Sequence, residues 1–179
     1  MRKYEFTGET KVFLNKTLHR IRAVVDFGTV HAGDVGGWIE KEEDLNHCGD
    51  AWIYGDACVY GDAKVYGNAC VYGDACVGGN AEVYGNAKVG GDAKVYGGKW
   101  EKSPCFIQGT RWSINISSPN TVRCGCQDHR WEEWHNHYAE ISRRHNGDDV
   151  LDEYIQYFNL LCGLYGHEDC AIVREGGKI

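Results

Sequence analysis

Basic charge, proline and long apolar runs are what this sequence has least of. Lys and Arg number 19 against 26 Asp and Glu, the formal net charge is −7, and no segment is basic. That balance argues against a dedicated nucleic-acid binder, which carries a basic excess on one domain, and leaves an acidic protein suited to basic partners. The longest apolar stretches fall far short of the ~20 residues a bilayer-spanning helix needs. The start Met1-Arg2-Lys3-Tyr4-Glu5-Phe6 has no apolar signal core behind its charges, so the expectation is a soluble, unexported, cytoplasmic chain. Neither a glycine-rich phosphate loop nor a serine nucleophile elbow occurs. Only 2 prolines stand beside 24 glycines, so corners fall to glycine. The 9 cysteines are odd in number and lack an export signal, which points to reduced thiols rather than a disulfide scaffold.

What is abundant is a repeat. From Gly49 past Gly97, Ala-x-Val-Tyr-Gly-Asp or a close variant recurs every six residues. Ile53, Val59, Val65, Val71, Val77, Val83, Val89 and Val95 form one column, and the alanines from Ala51 to Ala93 form another two residues earlier. Both columns must face inward. The glycine two residues after each Val, followed by Asp or Asn, gives the backbone freedom of a sharp corner. Three sides close a triangular coil of 18 residues, and coils stack about 4.8 Å apart as neighbouring strands do. The pattern resembles the hexapeptide repeat of left-handed β-helix proteins, and the left hand is implied by that resemblance alone.

The frame continues backward through Val35-Gly36-Gly37-Trp38-Ile39-Glu40, with Val35 in the Val column and Ile39 in place of Ala. The hexads at Lys41 and His47 break the rule and predict irregular coils. Stacked coils expose bare strand edges and need caps. Residues 1–28 read as an N-terminal strand cap, from Ile21, Ala23 and Val25 alternating with Arg22, Val24 and Asp26. Residues 29–98 give about four coils, and 99–179 a second domain. There Trp112, Ile114 and Ile116, a turn at Ser117-Ser118-Pro119-Asn120, and Val122, Cys124 and Cys126 predict a β-hairpin. Trp131, Trp134, Tyr138 and Ile141 predict a helix capped by Asp128 and ended by Asn146-Gly147, and Leu151, Ile155, Phe158 and Cys162 a second from about Asp148. The fold class expected is mainly β: a short parallel β-helix with an N-terminal strand cap and a small α+β C-terminal domain.

A period of 18 stacks outward side chains into ladders. Asp56, Asp74 and Asp92 share one corner column, where the geometry of the turn explains them and cation binding is the sharper alternative. Tyr54 and Tyr72 share one side, Tyr66 and Tyr84 another, and Tyr60 and Tyr96 flank Gly78 on the third. Such aromatic walls stabilise rungs or serve as binding surfaces. Cys58 and Cys76 occupy adjacent rungs below Lys94. Cys124, Cys126 and His129, with Cys105, His135 and His137 nearby, suggest zinc, but Cys-x-Cys-x2-His is not the usual knuckle, and thiols also fill small apolar gaps. No metal or cofactor is expected.

Gly33-Asp34-Val35-Gly36-Gly37-Trp38-Ile39-Glu40, Gly49-Asp50-Ala51-Trp52-Ile53-Tyr54-Gly55-Asp56-Ala57 and the stretches Ser103–Gly109 and Cys124–Trp134 resemble phage and prophage β-helix proteins, a group labelled transferases or polymer-forming proteins. The resemblance implies a mobile-element origin and brings no catalytic residues. A rigid, acidic, tyrosine-faced prism of such origin suits a non-enzymatic inhibitor or adaptor docking on a host macromolecule, for instance a nucleic-acid-handling defence complex in an anti-CRISPR manner, through Tyr54, Tyr60, Tyr66, Tyr72, Tyr84, Asp56, Asp74 and Asp92. The alternatives are a hexapeptide acyltransferase using acetyl-CoA, with His31 or His47 as base, and a self-assembling structural protein, a homodimer or homotrimer through its prism sides.

Overall fold

The computed structural model describes residues 2–145 and 147–173. It divides into two compact units, one running to Phe106 and including Ser117–Pro119, the other comprising Ile107–Ile116 and the chain from Asn120 onward.

The first unit opens with an antiparallel hairpin, β1 (Tyr4–Phe13) and β2 (Lys16–Ala23), turned by Leu14 and Asn15 at φ 49° and 60°. β3 (Val35–Ile39) pairs antiparallel with β2 and parallel with the coil below. The predicted irregular segment contains a 3-10 turn at Glu42–Asp44. Two-residue strands then follow: β4 (Trp52–Ile53), β5 (Cys58–Val59), β6 (Lys64–Val65), β7 (Cys70–Val71), β8 (Cys76–Val77), β9 (Glu82–Val83), β10 (Lys88–Val89), β11 (Lys94–Val95) and β12 (Lys99–Trp100). They form three faces of parallel strands, β3-β5-β8-β11, β4-β7-β10 and β6-β9-β12, which make a parallel β-helix of about four turns. Backbone bonds link successive coils, such as Cys58 N–H to Ala75 O at 2.9 Å and Tyr60 N–H to Val77 O at 3.0 Å. On the last coil, Tyr96 N–H donates to Ser117 O at 2.7 Å.

Both inward columns behave as their chemistry requires. The eight alanines from Ala51 to Ala93 and the Val column from Ile53 to Val95 are at most 2% exposed. Corner glycines adopt the left-handed region that excludes most side chains. At Gly79, φ is +59°, and a Cβ would lie 2.1 Å from the Tyr96 carbonyl oxygen.

The early frame differs from the one expected. Val35 is outward and 54% exposed, whereas Ile39 is fully buried and occupies the Val column. Ile39 pairs with Val59 and Leu45 bridges to Val65, twenty residues on, while Val59 pairs with Val77, eighteen on. Two extra residues therefore sit between Leu45 and Ile53 and shift the phase of everything before them. At the other end Trp100 pairs with Val83, seventeen residues back, so the last rung arrives one residue early. The cap is a full hairpin laid on β3 rather than one strand, and its alternation ends at Ala23. Beyond that, Phe27 and Val30 bridge in a local turn.

The second unit carries a sheet ordered β13-β14-β15-β16, from β13 (Phe106–Gln108), β14 (Ser113–Ser118), β15 (Thr121–Cys124) and β16 (Gln127–Arg130). Two helices come next, α1 (Trp131–Arg144) and α2 (Leu151–Tyr165). Helix α1 begins later than its expected Asp128 cap, because Asp128 lies in β16 and Glu133 instead accepts from the Arg130 N–H at 3.0 Å. The Asn146 stop lies outside the described residues. Helix α2 closes on Gly166 at φ 74°, a left-handed C-cap. No helix among the described residues is long and apolar enough to cross a membrane.

Candidate functional site: a charged groove on one face of the coil

On the face built from β6, β9 and β12 the outward residue before each buried one is Lys64, Glu82 and Lys99. Above them the hexad ending at Leu45 carries the 3-10 turn, and the corner between contributes Asp62. Together with Lys41 and Asp44 these residues line a groove of about 550 Å³. Lys41 Nζ meets Asp62 Oδ1 at 3.2 Å, and Lys99 Nζ meets Glu82 Oε1 at 3.2 Å. Tyr66 Oη donates to Glu82 Oε2 at 3.0 Å, and burial together with that carboxylate pushes the phenol up to about 12. The same bond and Lys99 hold Glu82 below the usual carboxylate range.

Asp44 is the unusual member. It is fully buried; its Oδ2 accepts from the Glu40 and Lys41 N–H groups, both at 3.0 Å, and its Oδ1 is buried without a hydrogen-bond partner. Burial outweighs these backbone bonds and pushes the carboxyl up to about 7. A group so poised exchanges a proton near neutrality.

The tyrosines expected on the outer walls divide. Tyr66 and Tyr84 stack, with ring centroids 5.1 Å apart and planes at 5°. Tyr72 is exposed and its ring lies over Gly90, where a Cβ would come within 2.2 Å. Tyr54 is half-buried, 3.3 Å from the Thr29 hydroxyl. Tyr60 projects outward from the coil but is largely withheld from solvent. It lies over Gly78 as expected, but the hairpin covers it with Leu18 and Phe13, so it is 6% exposed. The aspartate column is also uneven: Asp56 pairs with Arg20 at 3.0 Å and receives the Trp38 indole N–H, which holds it below its ordinary range. Asp74 and Asp92 are exposed at their corners.

Cys58 and Cys76 are paired across adjacent rungs as free thiols, and Lys94 Nζ lies 3.3 Å from Cys76 Sγ. The Cys58 thiol and Lys94 hold Cys76 below the ordinary thiol range, while Cys58 is driven up. Of the two histidines considered as a base, His47 stacks on Tyr4 at 4.3 Å, accepts the Lys3 N–H at Nδ1 and meets Glu42 at 2.9 Å through Nε2, so it is bound into the cap. His31 is exposed, its Nδ1 3.9 Å from Asp26. Cys124 ends β15 and Cys126 lies with Gly125 in the turn that follows, and no group of three or more metal-ligating side chains forms among the described residues.

The groove is not among the sites expected from the sequence. The Lys64, Glu82 and Lys99 column repeats at 18 and then 17 residues and so is legible in principle. Asp44 is not, since the phase shift that buries it lies outside the repeat.

No protein-family model matches the chain. A stretch of 62 residues is 40% identical to the "Uncharacterized acetyltransferase YdcK" of Escherichia coli (strain K12), covering 30% of this chain and 19% of that protein. The chain thus spans about a fifth of the length of the curated relative it matches. A parallel β-helix of about four turns, six-residue periodicity and this partial likeness all point toward the hexapeptide-repeat proteins.

Proposed function

We propose that this protein is a hexapeptide-repeat acyltransferase working through the charged groove. The likeness to an acetyltransferase favours this alternative over a non-enzymatic docking role on a host macromolecule. The observation that carries the reading is Asp44, a carboxyl near neutrality with one unpartnered oxygen, set behind a groove lined by Lys41, Lys64 and Lys99. The lining also carries Glu43, Asp62 and Glu82, and Lys41 and Lys99 are engaged by Asp62 and Glu82, so in this reading Lys64 is the cation that meets a phosphate of an acyl-CoA donor. An acceptor hydroxyl or amine attacks the thioester carbonyl, the carbon–sulfur bond breaks, and the proton passes through Asp44 to the departing thiolate. Since Asp44 is fully buried, the reaction requires the Glu42–Asp44 turn to open as substrates bind.

The test is release of free thiol from acetyl-CoA against a panel of small amines and sugars. Wild-type turnover is expected, with Asp44→Asn reducing kcat roughly 100-fold or more and Lys64→Gln mainly raising the KM for acetyl-CoA. Absence of thioester cleavage, together with no heat of acetyl-CoA binding by calorimetry, would overturn the reading.

A further inference from the structure

The second unit holds a cavity of different character, whose chemistry is independent of the transfer reading. Its sheet and both helices surround a partly open space of about 160 Å³. Helix α1 contributes Trp134, Tyr138 and Ile141 at helical spacing, helix α2 contributes Ile155 and Phe158, and Trp112 completes an aromatic wall. Among the described residues no Lys, Arg, Asp or Glu lines it, and His145 lies on its lining.

The Trp134 and Tyr154 polar atoms on this wall are already committed. The Trp134 indole N–H donates to the Val122 carbonyl at 2.8 Å. Tyr154 Oη donates to the Trp112 carbonyl at 2.7 Å and accepts the Trp112 and Arg111 N–H groups. Burial keeps the Cys124 thiol protonated, its pKa pushed up to about 12. The lining is mainly apolar, and an apolar cavity of roughly this size admits a benzene-sized guest. A cationic guest would lose its hydration with no carboxylate to meet it. Gln127, Tyr138, Ser142 and His145, also on the lining, are side chains with an atom able to take one hydrogen bond from a ring N–H.

We propose that this cavity is a binding site for a small uncharged aromatic molecule of one or two fused rings, held by Trp112, Trp134 and Phe158. The probe is indole, titrated into the full chain while the melting temperature is monitored, with tryptamine, protonated at neutral pH, as the charged control. A saturable rise of roughly 3 °C or more with indole, and none with the amine, is expected. Cys124→Phe places a ring in the space and is expected to abolish the response; Ser142→Leu serves the same purpose if the first variant does not fold. In parallel, methyl NMR resonances of Ile141 and Ile155 should move with indole in the wild-type chain. Equal stabilisation by the amine, an undiminished response in a folded cavity-filled variant, or no response up to millimolar indole would each overturn the proposal.

Discussion

Asp44 sets two demands against each other. Its Oδ2 fastens the turn by accepting the Glu40 and Lys41 N–H groups, yet the whole carboxyl lies out of water with Oδ1 unpaired. With a folded pKa near 7, above the ordinary value of about 4, the folded chain keeps a proton that the unfolded chain releases between those two values. Stability from this group is therefore complete below about pH 4, falls as pH rises toward 7, and is level above. Asp44→Asn cannot ionise and should flatten that slope. Urea unfolding between pH 4 and pH 8 should show the wild type losing about 1–3 kcal/mol more than the variant across the range. A buried carboxyl of this kind is hard to foresee, because in the sequence Lys41-Glu42-Glu43-Asp44 reads as a solvated charge run. The burial of Tyr60 is hidden for a related reason: the side chains that cover it lie about forty residues earlier in the chain.

The hairpin of β1 and β2 is the element with the most consequence for its neighbours. Leu18 is fully buried against Cys58, Tyr60 and Cys76. Lys11 and Arg20 lie over the Trp38 ring at 4.5 and 4.9 Å, so charged side chains also cover apolar surface. Leu18→Ala should cost about 2–4 kcal/mol and leave a gap over the two thiols. The direct measure is the rate of labelling of Cys58 and Cys76 by an aromatic disulfide reagent, expected to rise as the midpoint of unfolding falls. The buried run at Ile21 and Ala23 is legible from its alternation, but the hairpin as a whole is not. Its turn residues are Leu14 and Asn15, and a leucine at positive φ is strained enough that no turn signal points to it. The α-helices are legible from their apolar spacing, with starts displaced by about three residues, in α1 because Asp128 is used by a strand and in α2 because residues 148–150 form a turn.

At the scale of the whole coil, each rung touches only the rungs beside it, so stability is close to a sum of local terms. Gly79→Ala places a methyl against the Tyr96 carbonyl and should destabilise that contact by about 2–3 kcal/mol. The effect should be directional: amide hydrogen exchange from Tyr96 to Trp100 is expected to accelerate more than exchange from Trp52 to Val59. Equal acceleration at both ends would mean that the coil opens only as one unit. The regular hexads from Gly49 onward make the architecture legible, since Val and Ala at fixed offsets have one solution that buries both columns. The slip between Leu45 and Ile53 is hidden because two residues added at a corner leave no mark on either column; pairing alone reveals them.

The antiparallel union of β2 with β3 has a consequence for how copies of this chain can meet. A further rung joining at that edge would have to run parallel to β3, yet the amides it needs there are engaged by a strand travelling the opposite way. The outermost strand is then β1, whose pairing is interrupted between Phe6 and Thr10 and whose surface carries Glu5, Glu9 and Lys11. Reversal of chain direction thus acts as a terminator on this face, where a rung added parallel to β3 finds no template.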